Sequence, residues 1–392
     1  MSQLNVDAIR ASNGTGDAIS LTASDKTCTA NITNNLSNRN LIINGGMTVA
    51  QRGTSAATTT GIFVVDRFKS AIVGADEAST TAQVALTSSD TGPWAKGFRN
   101  ALQITNGNQT SGAGAGDTQQ ITYGVEAQDI ANSGWDYTSA SSYITLSFWV
   151  KSSVAQNFYG YLRSEDGTKQ LYAIETGSLS ANVWTKVTKT VPGNSNIQID
   201  NDTGQGFLIC LYAFEGADKT DSGQGLNSWG AYSSTSRTPD NTSTWWTTND
   251  STFAITGVQL EVGDYATDFE HRTYADELDR CQRYYYRIDA ASNDYFGIGN
   301  IDGSNTAQIL VNFGRDMRAD PSSLDTTGTA SHYIIRVASN ATCTSVPTLS
   351  SHITTKNAML YFTASSHGFN TGQGAFGRSN DNSSFLGFSA EL

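Results

Sequence analysis

The stretch Ile144-Thr145-Leu146-Ser147-Phe148-Trp149-Val150 decides the fold class. Ile144, Leu146, Phe148 and Val150 occupy alternate positions, so in an extended chain they point one way and bury together. Further on, Phe207–Phe214 is apolar on both faces and reads as a central strand covered on two sides. Between Leu41 and Arg272 such runs recur, separated by Gly, Ser, Thr and Asn. They are Leu41–Val49, Ile62–Lys69, Gln83–Leu86, Ala101–Thr105, Gln119–Ala127, Tyr143–Lys151, Asn157–Arg163, Lys169–Ile174, Val183–Val191, Phe207–Phe214 and Phe253–Leu260. Many short strands at this spacing predict an all-β chain whose central domain, 41–272, is a jelly-roll β-sandwich. Glu165-Asp166-Gly167-Thr168 predicts a tight hairpin with a primed turn. Trp94, Trp135, Trp149, Trp184, Trp229, Trp245 and Trp246 all lie in this stretch, which marks one unit with one large core.

Outside the sandwich the pattern thins. Residues 1–40 are poor in bulky apolar groups; Leu4–Ile9 and Ala18–Leu21 read as strands around the turn signal Asn13-Gly14-Thr15-Gly16. One hairpin is marginal in water, so this arm is expected to pack on copies of itself or on another protein. Residues 273–287 predict one connector helix, with Thr273 as N-cap and Tyr274, Leu278, Cys281 and Tyr285 along one face. Residues 288–392 return to a strand pattern, at Tyr295–Ile298, Ala307–Phe313, Tyr333–Val337, Ala358–Ala364 and Phe385–Phe388, with a hairpin at Asp302-Gly303. This is a smaller C-terminal β domain.

Composition narrows the function. The 392 residues carry 24 Lys+Arg against 36 Asp+Glu, a net charge of −12, and only 15% are charged. An acidic balance argues against nucleic-acid binding, which needs a basic footprint. No run of about 18 apolar residues is present to span a membrane. Met1–Arg10 lacks a basic stretch followed by an apolar one, so no export signal is expected, and the protein is expected to be made in the cytoplasm. Cys28, Cys210, Cys281 and Cys343 form no CxxC or Cys/His pair, which disfavours zinc and a disulfide framework.

A set of phrases carries a resemblance. Asn40-Leu41-Ile42-Ile43-Asn44-Gly45-Gly46-Met47, with Gln51-Arg52-Gly53 and Val65-Asp66-Arg67-Phe68, resembles the start of a domain common in bacteriophage tail fibres. Ile255–Gly263, Ala266-Thr267 and Phe269-Glu270-His271-Arg272 resemble that domain's final strand. Glu277-Leu278 with Cys281–Tyr285 looks like the helix that follows, and Met317-Arg318-Ala319-Asp320-Pro321 is similar to a C-terminal segment of the same proteins. The Leu4-to-Ile19 opening also resembles N-terminal segments of marine-phage fibres. The resemblance implies a jelly roll like those of carbohydrate-binding modules, in a virion fibre or receptor-binding protein that is usually trimeric. The chain is short for a long fibre, so a compact appendage on tail or capsid is expected. Gly257 within an apolar strand suggests a bulge or a close backbone approach. Asp66 with Arg67, and Glu270 with Arg272, are candidate ion pairs with a structural role.

Candidate contact residues follow from the aromatic content of polar segments. The long stretch Glu215–Asp250 holds Trp229, Tyr232, Trp245 and Trp246, rings that either stack on sugar C–H faces or fold back over the open end of the sandwich. The C-terminal stretch adds Tyr361, Phe362, His367, Phe369, Phe376, Phe385 and Phe388; of these, Tyr361 and Phe369 join the candidate glycan-binding set, with core or trimer packing as the alternative. Asp200-Asn201-Asp202-Thr203-Gly204 looks like a calcium loop, but Leu211 stands where a twelve-residue loop needs its bidentate Glu. No cofactor is expected; structural calcium stays open without ligands. Catalytic motifs such as GxSxG, HExxH and the P-loop are missing, and His271, His332, His352 and His367 all lie in the last third.

The expectation is a non-enzymatic virion fibre protein that binds host glycan. Its arm would hold other virion proteins, and its C-terminal domain would be the outward tip. A purely structural tail or capsid decoration protein and a glycan depolymerase are the alternatives. At a net charge of −12 the molecule as a whole repels anionic polysaccharide, so stacking, neutral hydrogen bonds or cation bridges are expected.

Overall fold

The computed structural model describes residues 38–58, 61–365 and 368–392, together with the backbone of three strands nearer the N-terminus. These three, β1 (Ala8–Arg10), β2 (Asp17–Thr22) and β3 (Thr27–Ala30), pair antiparallel in the order β1-β2-β3. Leu4–Asp7, the turn at 13–16 and His367 lie outside the described residues.

The central unit is the expected sandwich. Its strands are β4 (Ser55–Thr58), β5 (Phe68–Val73), β6 (Ser79–Ala85), β7 (Asn100–Thr105), β8 (Thr118–Glu126), β9 (Tyr143–Ser152), β10 (Asn157–Ser164), β11 (Gln170–Ser178), β12 (Thr185–Pro192), β13 (Gln205–Glu215), β14 (Trp229–Ala231) and β15 (Thr252–Val262). They form two six-stranded sheets, β14-β11-β10-β13-β8-β5 and β12-β9-β15-β7-β6-β4. Ile144, Leu146, Phe148 and Val150 of β9 point between the sheets, into a core shared with Phe158, Phe207, Ile209, Phe253 and Ile255. β13 is buried along its whole length after Gln205, as its two-sided apolar pattern requires.

Three sequence expectations need correction here. Leu41–Val49 is not a strand. Asn44 holds it as a buried irregular segment: its side-chain N–H2 donates to the carbonyls of Val49 (2.8 Å) and Asp66 (3.0 Å), and its oxygen accepts from the Thr48 and Val49 amides (2.9 Å each). A Cβ on Gly45 would lie 2.0 Å from the Val258 carbonyl oxygen, so the segment can pass this close to β15 only as glycine. Ile62–Lys69 likewise becomes strand only at Phe68. The Glu165–Thr168 connection is a longer loop, 165–169, with Gly167 alone at positive φ (58°), and the Asp200 amide donates to Asp166 within it (2.9 Å).

After the sandwich come α2 (Tyr274–Gln282), β16 (Tyr285–Ala290), β17 (Tyr295–Ile301), β18 (Thr306–Asn312), β19 (Ser323–Thr326), β20 (Tyr333–Arg336), β21 (Asn340–Thr342), β22 (Thr348–Ile353), β23 (Asn357–Thr363), β24 (Gly374–Ser379) and β25 (Ser384–Ser389). A three-stranded sheet, β16-β25-β19, packs with a seven-stranded one, β21-β20-β24-β17-β18-β23-β22, around Phe296, Ile309, Leu360, Phe362 and Phe388. The five-residue α1 (Ala127–Ala131), unforeseen, follows β8 directly. α2 begins as expected, with the Asp276 amide donating to Thr273 Oγ1, but stops at Gln282; Tyr274 is exposed and Tyr285 starts a strand. None of the helices among the described residues is long and apolar enough to cross a membrane.

The C-terminal unit is stitched to the sandwich by buried charge. Arg67 does not pair with Asp66. It reaches Glu391 (2.5 Å) and lies over the rings of Tyr284 (3.4 Å) and Tyr123 (5.1 Å). Asp66 instead accepts from the Gln51 amide (2.9 Å), and burial pushes its carboxyl up to about 6. Arg283 grips Glu126 with two bonds of 2.9 Å, and Tyr284 adds a third; these outweigh burial and hold the Glu126 carboxyl below its usual range. The second expected pair, Glu270–Arg272, is formed at 3.4 Å.

Candidate functional site

Each sheet of the sandwich has an outer face, and the two are finished differently. On β14-β11-β10-β13-β8-β5 the outward residues Tyr161, Leu171, Ala173, Leu208, Cys210 and Tyr212 are buried, with Leu226 and Tyr232 packed over them. Residues 216–243 form this cover. Bridges Ala173–Leu226 and Thr220–Thr238 seat it, Arg237 donates to Tyr212 Oη (2.8 Å), and the Thr238 hydroxyl donates to the buried Glu215. Burial pushes the Glu215 carboxyl up to about 8, outweighing the Thr238 hydrogen bond and the nearby Arg237 charge.

This cover disposes of much of the aromatic set read from sequence. Trp245 and Trp246 are 0% and 1% exposed, so neither offers a face to a ligand. They close one end of the sandwich: the Trp246 ring packs on Phe214 (4.9 Å), its indole N–H donates to the Gly112 carbonyl (2.9 Å), and Asn106 donates to the carbonyls of both. Trp229 is half-buried against Tyr172 (5.2 Å) and donates to the Pro192 carbonyl (2.6 Å). Tyr232 is half-buried beneath the Arg163 guanidinium (4.3 Å). Tyr361 sits half-buried on the outward face of β23, and Phe369 packs half-buried on the C-terminal core. Trp229 and Tyr232 belong to the sandwich, whereas Tyr361 and Phe369 belong to the C-terminal unit.

The other outer face, on β12-β9-β15-β7-β6-β4, is only partly covered. Two segments cross it: one holds Trp94 and Phe98, the other Phe269 and His271. Between them and the sheet lies a cleft of about 270 Å³ lined by Ala95, Lys96, Phe98, Ser147, Trp149, Lys186, Gly257, Asp268, Phe269 and His271. Trp149 and Ser147 come from the outward positions of β9, the complement of the inward set. Phe98, Phe269 and His271 form a triangle of rings with centroids 4.8–5.1 Å apart. The His271 Nε2 lies 2.8 Å from the Lys96 carbonyl, which pins the ring to the opposite segment.

Gly257 makes this packing possible. β15 bulges between Thr256 and Gln259, where Gly257 has φ = 63°, and a Cβ there would come within 2.6 Å of the Phe98 ring. The sequence signal for a bulge or close approach at this residue therefore marked the floor of the cleft. Beside the cleft, Asp90 accepts from Lys151 (2.8 Å) and from the Trp184 indole N–H (2.9 Å); with the Thr87 amide, these bonds outweigh burial and keep its carboxyl well below the usual range. At the rim, Lys96 pairs with Asp268 (3.3 Å). Lys186 is exposed and stands directly opposite Trp149 in the β12–β9 ladder.

This geometry suits a ligand with one apolar face and many hydroxyls. Trp149 offers a partly exposed ring, and Ser147, His271, Lys186 and Asp268 surround it with donors and acceptors. Sequence reasoning missed the site because it weighed aromatics in polar loops; the available signal was a Trp on the outward side of an alternating strand. At the calcium-like segment one Asp202 oxygen accepts from the Gly204 amide (2.8 Å) and the Asn201 oxygen accepts from Asn132 (2.9 Å). Among the described residues no three His, Cys, Asp or Glu side chains converge to hold a metal.

No protein-family model and no curated protein matches the chain. Among solved structures it is similar to the enzymatically active domain of tailspike protein 4 from bacteriophage CBA120, with TM-score 0.27 and 11% identity over 57% of this chain, although it spans only 22% of that one. It is also similar to the N-terminal cellulose-binding domain of Cellulomonas fimi β-1,4-glucanase C, with TM-score 0.25 and 9% identity over 50% of this chain and 90% of that one. A third is a family 11 carbohydrate-binding module from Clostridium thermocellum in complex with a β-1,3-1,4-mixed-linked tetrasaccharide, with TM-score 0.23 and 13% identity over 56% of this chain and 97% of that one.

Proposed function

We propose that this chain is a non-enzymatic bacteriophage virion protein, a tail fibre or compact appendage, that contacts glycan on the host surface through the Trp149 cleft. The observation that carries the reading is the cleft itself. A sandwich whose other outer face is sealed by its own chain keeps this one reachable, with an indole on its floor and hydrogen-bonding groups around it. Stacking on one ring is weak, so the mechanism is multivalent. Several copies on one particle raise the effective concentration and hence the avidity by orders of magnitude. The strand-forming N-terminal arm, poor in bulky apolar residues, supports attachment to other virion proteins and assembly into a homotrimer.

The reading is tested with the phage that carries the chain and the bacterium it infects. Antibody against the chain should decorate the virion exterior, and added free chain should block adsorption. Host polysaccharide incubated with the chain should keep its length, and the mass in solution should be three times 41.8 kDa. Chain located only inside the particle, or shortening of the polysaccharide, would contradict it.

A further inference from the structure

The charge lining the Trp149 cleft is opposite in sign to the charge of the molecule. Among the described residues that line it, Lys96 and Lys186 face one carboxylate, Asp268. Lys96 and Asp268 neutralise each other at the rim, 3.3 Å apart. Around it Lys151 holds Asp90 (2.8 Å), Arg272 holds Glu270 (3.4 Å), Arg39 holds Glu261 (3.6 Å), and Arg99 stacks on Trp94 (3.7 Å) and donates to the Phe98 carbonyl. Lys186 is left over, exposed and with no acid within ion-pair distance among the described residues. Its partner across the ladder is Trp149, so both side chains leave the same face of the sheet with Cβ atoms about 5 Å apart.

We infer that the cleft selects an anionic sugar: a ring stacked on Trp149 with its carboxylate or sulfate received by Lys186. This rests on the function proposed above and names its ligand class. The net charge of −12 predicts repulsion of such polymers at long range, but screening confines that repulsion to about 10 Å at 0.1 M salt. Within the cleft the local cation decides. A charge-assisted bond to an ammonium is roughly twice as strong as a neutral one and corresponds to about a tenfold gain in affinity. Lysine, a point charge on a flexible stem, accepts either anion.

The test is calorimetric titration of the full chain with fragments of alginate, polygalacturonate, hyaluronan and sulfated galactan, each beside its carboxyl-reduced or desulfated counterpart. The expected result is at least one acidic fragment bound about tenfold tighter than its neutral counterpart. The uronate and sulfate arms show which anion it is. Lys186→Gln should abolish the preference for the acidic over the neutral fragment, whereas Trp149→Ala should remove binding of both. Equal affinity for acidic and neutral forms, or a preference that survives Lys186→Gln, overturns the inference and leaves the functional reading standing. Undiminished binding by a folded Trp149→Ala variant overturns the reading itself, and failure to bind any of the fragments overturns both.

Discussion

The sheet β14-β11-β10-β13-β8-β5 carries Tyr161, Tyr212 and Cys210 on its outer face and roofs them with residues 216–243, whereas the facing sheet carries Trp149 and Lys186 outward, half-buried and exposed, with Ser147 buried beside them. Both faces are built by the same alternation, and both hold aromatic rings. They differ in where the rings originate. Residues 216–243 take their own polar backbone over an apolar sheet and hold it there with buried hydrogen bonds. Of the aromatics of the long polar stretch, Tyr232 lies in the roof, Trp245 and Trp246 cap one end and Trp229 packs on the core between the sheets, while the ring on the open face is fixed on a central strand. A site on a strand keeps its geometry because the ladder on either side holds it, here β12 and β15 flanking β9.

The strongest attack on this contrast is Trp245→Ala. If Trp245 is an end-cap of the core, the cavity left behind should cost about 3–5 kcal/mol in denaturant unfolding while glycan affinity per folded molecule stays constant. Loss of binding without loss of stability would return Trp245 to the contact set.

A second test uses pH. The folded pKa of Glu215, about 8, lies above its ordinary 4.5, so the folded state binds the extra proton between these values. Stability should therefore fall as pH rises through that window, by up to about 1.4 kcal/mol per pH unit. Asp66, raised to about 6, adds its own slope at lower pH, so pH 6 to 8 isolates Glu215. Glu215→Gln should flatten the stability profile there and leave ligand binding at Trp149 unaltered; an unchanged slope would show that the sealed face does not depend on a protonated Glu215.

The smallest effect is expected at Gly257→Ala. Positive φ and contact with the Phe98 ring should cost about 1–2 kcal/mol in thermal unfolding and weaken glycan binding by shifting the triangle over the cleft. Full affinity in this variant would mean that Phe98 does not shape the site.

The sandwich was legible because period-two alternation in β9 and continuous apolarity in β13 each have one physical reading. Leu41–Val49 misled for a definite reason. Its apolar content is that of a strand, but Asn44 supplies the backbone bonds a strand would take from a neighbour. Tyr285 completed a helical face in the sequence, yet it pairs with Ser389 of β25, a partner about a hundred residues away that local pattern cannot reveal. Arg67 found Glu391 rather than adjacent Asp66 for the same reason. At the site, Trp149 was visible as an outward ring, but Phe98, Phe269 and His271 meet above it only through the tertiary fold.

The account depends most on which ring meets sugar. The direct measurement is binding of the intact chain, Trp149→Ala and Trp229→Ala to one microarray of bacterial-surface polysaccharides, with thermal melts confirming that all three are folded. The account predicts that wild type and Trp229→Ala bind the same spots while Trp149→Ala binds none. A Trp149→Ala variant that keeps the wild-type pattern while Trp229→Ala loses it would contradict the account and move the site to the edge where β14 meets the core between the sheets.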